Sequence, residues 1–167
     1  MGFDDSVLIV LQHEGGYVND PDDNGHATNH GITQETLSNF RGAIVTREDV
    51  KALTSDEAKL IYKKLYWDPM MLDQVQDPDI QTAMLDQGVL SGIRAAVGCM
   101  QIACGANSDG KMGPDTLTHI NSFVDLNYLL NRFKQEMISH YMKIAVAQQK
   151  DQRFVRGWIA RVMNLPA

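Results

Sequence analysis

The stretch His13-Glu14-Gly15-Gly16-Tyr17-Val18-Asn19-Asp20-Pro21-Asp22-Asp23-Asn24-Gly25 decides how the chain is organised. Before it lies Val7-Leu8-Ile9-Val10-Leu11, an apolar run that reads as the buried part of a helix. Asp4, Asp5 and Ser6 offer that helix a cap, and the pattern carries it to about Glu14. From Gly15 to Ile32 the chain holds four glycines, one proline and several Asp and Asn residues. These are turn formers, so the segment reads as a long loop with room for a small β-hairpin. Loops of that length inside a compact domain are usually functional. Helix and loop meet at a single carboxylate, Glu14.

Outward from this junction the reading is helical nearly throughout. Thr33 caps a short helix to about Phe40, and Thr46 and Thr54 both start helices. Thr54-Ser55-Asp56-Glu57 also fits a capping box. Ala58, Ile61, Tyr62 and Leu65 recur at helical spacing up to Trp67, and Pro69 stops that helix. Asp77-Pro78 is a cap followed by proline at the first helical position, opening a helix to about Leu90. Another runs from near Gly92 to just before Gly105, and Pro114 opens a short one. Asp125 to about Gln149 is a long helix, and Phe154, Trp158, Ile159 and Val162 mark a final amphipathic one. No low-complexity linker is present. Asn107 to Pro114 is the one candidate module boundary, and it is short, so a single all-α body is expected.

Composition narrows the function. A chain of 167 residues with 44% hydrophobic content can bury a core as one domain, or one domain with a small appendage. No apolar run approaches the roughly 20 residues of a membrane span. The pentad Val7–Leu11 is too short for a signal peptide and follows Asp4 and Asp5 rather than a basic region, so synthesis in the cytoplasm without a signal peptide is expected. The net charge of −6 argues against nucleic acid, whose binding rests on Lys and Arg at phosphates. Cys99 and Cys104, five apart in one helix, point to different faces and read as two buried thiols.

The chemistry centres on Glu14. A glutamate where a core meets a loop is partly buried, and partial burial favours a retained proton. Solvated aspartates nearby stay ionised. One protonated acid beside ionised carboxylates is what glycoside hydrolysis uses. A helix C-terminus also disfavours negative charge, so an acid there is costly unless it serves a purpose. Asp20, Asp22 and Asp23 all qualify by type as the second group. Two metal readings fail on their own terms. His13-Glu14 begins a His-Glu-x-x-His zinc pattern, but position 17 is tyrosine, and His26 and His30 lie in the loop. Asp20 to Gly25 matches the first half of a calcium loop, but the twelfth position, where glutamate is required, is Gly31. No metal and no cofactor are expected.

Several segments carry a family resemblance: Glu14-Gly15-Gly16-Tyr17, Asn19-Asp20-Pro21, Thr28-Asn29-His30-Gly31-Ile32-Thr33, Tyr66-Trp67-Asp68-Pro69, and Asp109-Gly110-Lys111-Met112-Gly113-Pro114-Asp115-Thr116-Leu117. Together they resemble the muramidases of glycoside hydrolase family 108, which include phage-type endolysins and secretion activator proteins. The family usually has tyrosine where His30 stands. The last segment resembles the small peptidoglycan-binding module that follows the catalytic part. The resemblance implies an all-α, lysozyme-like fold with residues 1–92 as the catalytic part and 93–167 as a helical peptidoglycan-binding-like part, packed into one continuous domain. It implies hydrolysis of the β-1,4 bond between N-acetylmuramic acid and N-acetylglucosamine, with Glu14 as general acid.

For the second carboxylate two residues stay open. Asp20 lies inside the family match. Asp23 follows Glu14 after eight intervening residues and Thr28 follows after four more, close to a spacing in another family of phage lysozymes, which favours Asp23 and Thr28 as the pair that positions a water. Tyr17, Asn29, Tyr66 and Trp67 are candidate sugar contacts. Ser91 is a further one, near a family Asn-Ser-Gly motif in which this chain has Leu90 for Asn. The expected partner is the peptidoglycan glycan strand, bound by a monomer that reaches the wall through a holin or a secretion route. A binding module without catalysis and a lytic transglycosylase are the alternatives.

Overall fold

Every residue from Ile80 to Gly88 is buried, and this stretch of helix α5 (Pro78–Ser91) is the axis of the molecule. A helix with no exposed face is a core helix. The computed structural model describes residues 2–18, 27–148 and 151–166. Asp77 starts α5 as expected, its carboxylate accepting from the Asp79 and Ile80 N–H groups at 3.0 and 2.9 Å. Helices α1 (Phe3–Glu14), α6 (Ile93–Cys104) and α8 (Leu126–Ala147) pack on α5, and α9 (Gln152–Met163) packs along α8. Polar groups on so buried a helix need partners. The Thr82 hydroxyl meets Ser6 of α1 at 2.8 Å, and the Gln81 amide donates to the Leu72 and Val75 carbonyls. The buried apolar residues form one cluster, running from Val7 to Leu165.

The start of α1 corrects the expected cap. The helix begins at Phe3 with Gly2 at the cap position, which puts Asp4 and Asp5 in the first turn. Phe3 meets Trp67 edge-on, with ring centroids 5.2 Å apart, and this contact carries the helix back past the polar residues. The acids remain favourable there, since the first turn is the positive end of the helix dipole. Ser6 is fully buried rather than capping.

The loop expected from Gly15 to Ile32 carries a hairpin among its described residues. Strands β1 (Thr28–Asn29) and β2 (Ile32–Thr33) pair antiparallel, with Thr28 opposite Thr33 and Asn29 opposite Ile32. His30 and Gly31 turn between them with φ of 53° and 73°. Two successive left-handed residues make the tight turn that suits the right-handed twist of a hairpin. Val18 bridges to Thr28 through two backbone hydrogen bonds of 2.8 and 2.9 Å.

Thr33 then caps α2 (Gln34–Arg41), and Thr46 and Thr54 cap α3 (Arg47–Lys51) and α4 (Ser55–Tyr62). The reciprocal capping box forms at Thr46, where the Asp49 carboxylate accepts from the Thr46 N–H at 2.7 Å. It does not form at Thr54, because Glu57 instead takes both nitrogens of the Arg41 fork at 2.8 and 2.7 Å. After α4 the helix widens into a π turn over Lys63–Trp67. Such turns concentrate at functional sites. Gly105, left-handed at φ 81°, ends α6, and α7 (Pro114–Asn121) opens on its proline. Both cysteines are buried and free, and burial pushes the Cys99 thiol up to about 11. Among the described residues no helix is long and apolar enough to cross a membrane.

Candidate active site

Helix α1 ends at Glu14 because Gly15, at φ 75°, leaves the helix. A carboxylate at a helix C-terminus needs a counter-charge, and Arg161 of α9 supplies it: Nη1 lies 2.7 Å from Glu14 Oε1. Arg161 is itself held from behind. Its Nε donates to both oxygens of Asp86 at 3.1 and 3.0 Å, and Nη2 lies 3.0 Å from Asp86 Oδ1. Asp86 sits on α5 with no exposure. His13 Nδ1 reaches Asp86 Oδ1 at 2.9 Å, and the Gln87 amide donates to Oδ2 at 2.9 Å. Gln87 in turn accepts from the Tyr141 hydroxyl of α8 at 2.8 Å. The chain of contacts therefore runs from α1 through α9 and α5 to α8.

Burial pulls the Arg161 guanidinium down, but hydrogen bonds and charge from Asp86, then the charge and contact of Glu14, outweigh it and hold it above its ordinary value. It is a permanent cation. The Tyr62 phenol is pushed far above its usual range by burial and, next, by the Glu14 charge, and Tyr66 shifts the same way for the same reasons. Both stand beside the acid as neutral hydroxyls.

The hairpin turn closes the front. A Cβ at Gly31 would lie 2.8 Å from Glu14 Oε2, 2.9 Å from Glu14 Cβ and 2.7 Å from the Tyr62 hydroxyl oxygen. Only glycine fits this approach at this φ. Tyr62 pins the turn by donating to the His30 carbonyl at 2.8 Å. Because that bond uses the backbone of His30, a histidine in place of tyrosine there leaves it intact. Gly31→Ala is expected to cost about 1–3 kcal/mol, from the left-handed backbone and the collision with the Glu14 stem. Urea denaturation measures it, and an unchanged midpoint would show that the turn is not seated on Glu14.

The residues expected at the site divide. Tyr17 is exposed, with Lys51 Nζ 6.0 Å from its ring centroid, and Tyr66 is half-buried in the π turn beside Glu14. Thr28 is half-buried on β1, one position from Asn29 and so on the opposite face of the strand. Asn29 is turned inward, its amide donating to the carbonyls of Val50, Lys51 and Leu53 at 3.1, 3.2 and 3.4 Å. Trp67 is a core residue at 1% exposure, its Nε1 donating to Asp73 at 2.8 Å. Ser91 turns its hydroxyl back onto the Gln87 carbonyl at 2.7 Å. Asp20, Asp22, Asp23 and His26 lie outside the described residues. Among the described residues no group of three or more His, Cys, Asp or Glu side chains is placed to hold a metal ion.

Sequence reading did not single out Arg161. A signal existed: the residue sits at helical spacing with Trp158 and Leu165, beside the buried Val162. A charge in an inward stripe asks for a buried partner. Asp86, a lone acid in the buried run of α5, is the other half of that signal.

The model of the family described as glycosyl hydrolase 108 matches residues 7–92, and that of a predicted peptidoglycan domain matches residues 94–163. A search of the curated proteins finds no match. The structure of Brucella abortus SagA aligns with a TM-score of 0.81 at 32% identity, over 98% of this chain and 90% of that one. With a lysozyme-like helical fold and a carboxylate at the end of its first helix, the chain belongs to the glycosyl hydrolase 108 family.

Proposed function

We propose that the protein is a muramidase that hydrolyses the β-1,4 bond between N-acetylmuramic acid and N-acetylglucosamine in peptidoglycan. The observation that carries this reading is the setting of Glu14. One oxygen is held by Arg161, the other lies against Gly31, and the side chain is 20% exposed, so it is fixed yet reachable. Membership of a glycosyl hydrolase family supports the reaction class, and the predicted peptidoglycan domain supports the substrate class.

In this mechanism Glu14 acts as the acid through Oε2, the oxygen away from Arg161, whose proton passes to the glycosidic oxygen as the bond to the sugar carbon breaks. Asp20 or Asp23 supplies the second carboxylate, which stabilises the developing positive charge or positions the attacking water, with Thr28 as its companion. Tyr17 and Tyr66 offer faces to the sugar rings. Asn29, Trp67 and Ser91 are spent on internal bonds and support the site from behind. No cofactor takes part. Residues 1–92 carry the acid and residues 93–167 the wall affinity, within one monomeric body that acts on the wall after release through a holin or a secretion route.

Mass spectrometry of a digest of purified peptidoglycan tests the reading. Hydrated muropeptides with a reducing muramic end are expected. Anhydro products, lighter by one water, would make the enzyme a lytic transglycosylase. Wall that pellets the protein but releases nothing would leave a binding module.

A further inference from the structure

We infer that Arg161 is a positioning residue for the Glu14 acid, so that the catalytic site is completed by the last helix and not by residues 1–92 alone. This rests on the muramidase reading of Glu14. The terminal torsion of a glutamate is broad and leaves the carboxyl group free to turn. Here it is not free: Oε1 has no solvent contact and faces Arg161 Nη1 at 2.7 Å, which leaves Oε2 as the oxygen on the hairpin side. Arg161 can act as a fixed stop because Asp86, buried on α5, already accepts two hydrogen bonds from its Nε, with Nη2 in ion-pair contact at 3.0 Å. The remaining nitrogen, Nη1, then meets Oε1 as a close ion pair rather than an aligned hydrogen bond, so it restrains the carboxyl group by charge and contact. Tying α9 to the core needs only the contact with Asp86. The further contact, across to the end of α1, is the one that bears on chemistry. The residue lies within the segment matched by the predicted peptidoglycan domain, so that segment does more than hold wall.

The test uses the full chain, with turnover on soluble peptidoglycan fragments and pelleting with insoluble wall measured side by side. Arg161→Gln is expected to lower kcat by about 10–100-fold, the cost of a misplaced catalytic group. KM and wall pelleting should stay within about twofold of the parent. Arg161→Lys, which keeps the charge but loses the fork, should recover part of kcat. Arg161→Gln leaves Asp86 unpaired, so Asp86→Asn/Arg161→Gln is made beside it to remove both charges, and circular dichroism confirms its fold. That double variant should remain slow. A folded double variant with the parent's kcat would overturn the inference, and so would a faster one, which would make Arg161 a latch. Loss confined to KM and pelleting would also overturn it. These failures are distinct from failure of the muramidase reading, in which the parent itself releases no products or Glu14→Gln remains active.

Discussion

Glu14→Gln is expected to give a folded protein whose release of muropeptides from peptidoglycan is lower by about 10²–10⁴-fold, the usual contribution of a general acid. The substitution is nearly isosteric. The amide can turn its oxygen toward Arg161 and keep the polar contact at that end, so the helix junction with α9 survives. What is lost is the transferable proton. Thermal unfolding close to the parent's and unchanged pelleting with wall would separate a chemical defect from a structural one. Retention of most of the activity would remove Glu14 from the role of acid. It would also leave the ion pair with Arg161 as a purely structural feature.

Asp86→Ala carries the largest expected effect on stability. The carboxylate is fully buried and serves Arg161, His13 and Gln87 together, while the Arg161 side chain is only 15% exposed. Removing one member of such a pair strands the other charge, at about 3–5 kcal/mol. For a domain of this size that corresponds to a fall in Tm of roughly 10 °C. The comparison with Arg41 and Glu57 shows why burial decides. That pair has two short hydrogen bonds, but its side chains are 33% and 25% exposed, and such pairs contribute about 1 kcal/mol or less. Scanning calorimetry of Asp86→Ala beside Glu57→Ala measures the difference. Equal small losses would mean that water reaches the Asp86 site and that the network is not the clamp its geometry describes.

The helical framework was legible because its signals are local. Asp77-Pro78, Thr33, Thr46 and Gly105 each act on backbone groups within a few residues, and the helices begin and end there. Where a distant residue intervened, local reading failed. The Thr54 box lost its glutamate to Arg41, and α1 started early because Phe3 found Trp67. Site residues divided in the same way. An amide or an indole suits a sugar and a core equally, so residue type alone left Asn29 and Trp67 open, and contacts with α3 and Asp73 placed them inside.

By itself the sequence determined that a helix ends in an acid beside a glycine-rich turn within an all-α body, while the lysozyme-like reading rested on the resemblance of several segments to family 108. Only the tertiary structure decided what surrounds that acid. Arg161 stands at the far end of the chain, and its bond to Asp86 spans 75 positions. Periodicity and capping describe neighbours along a helix. A buried charge instead takes whatever partner packing brings within about 3 Å, and that partner is settled only when α9 docks against α8 and α5.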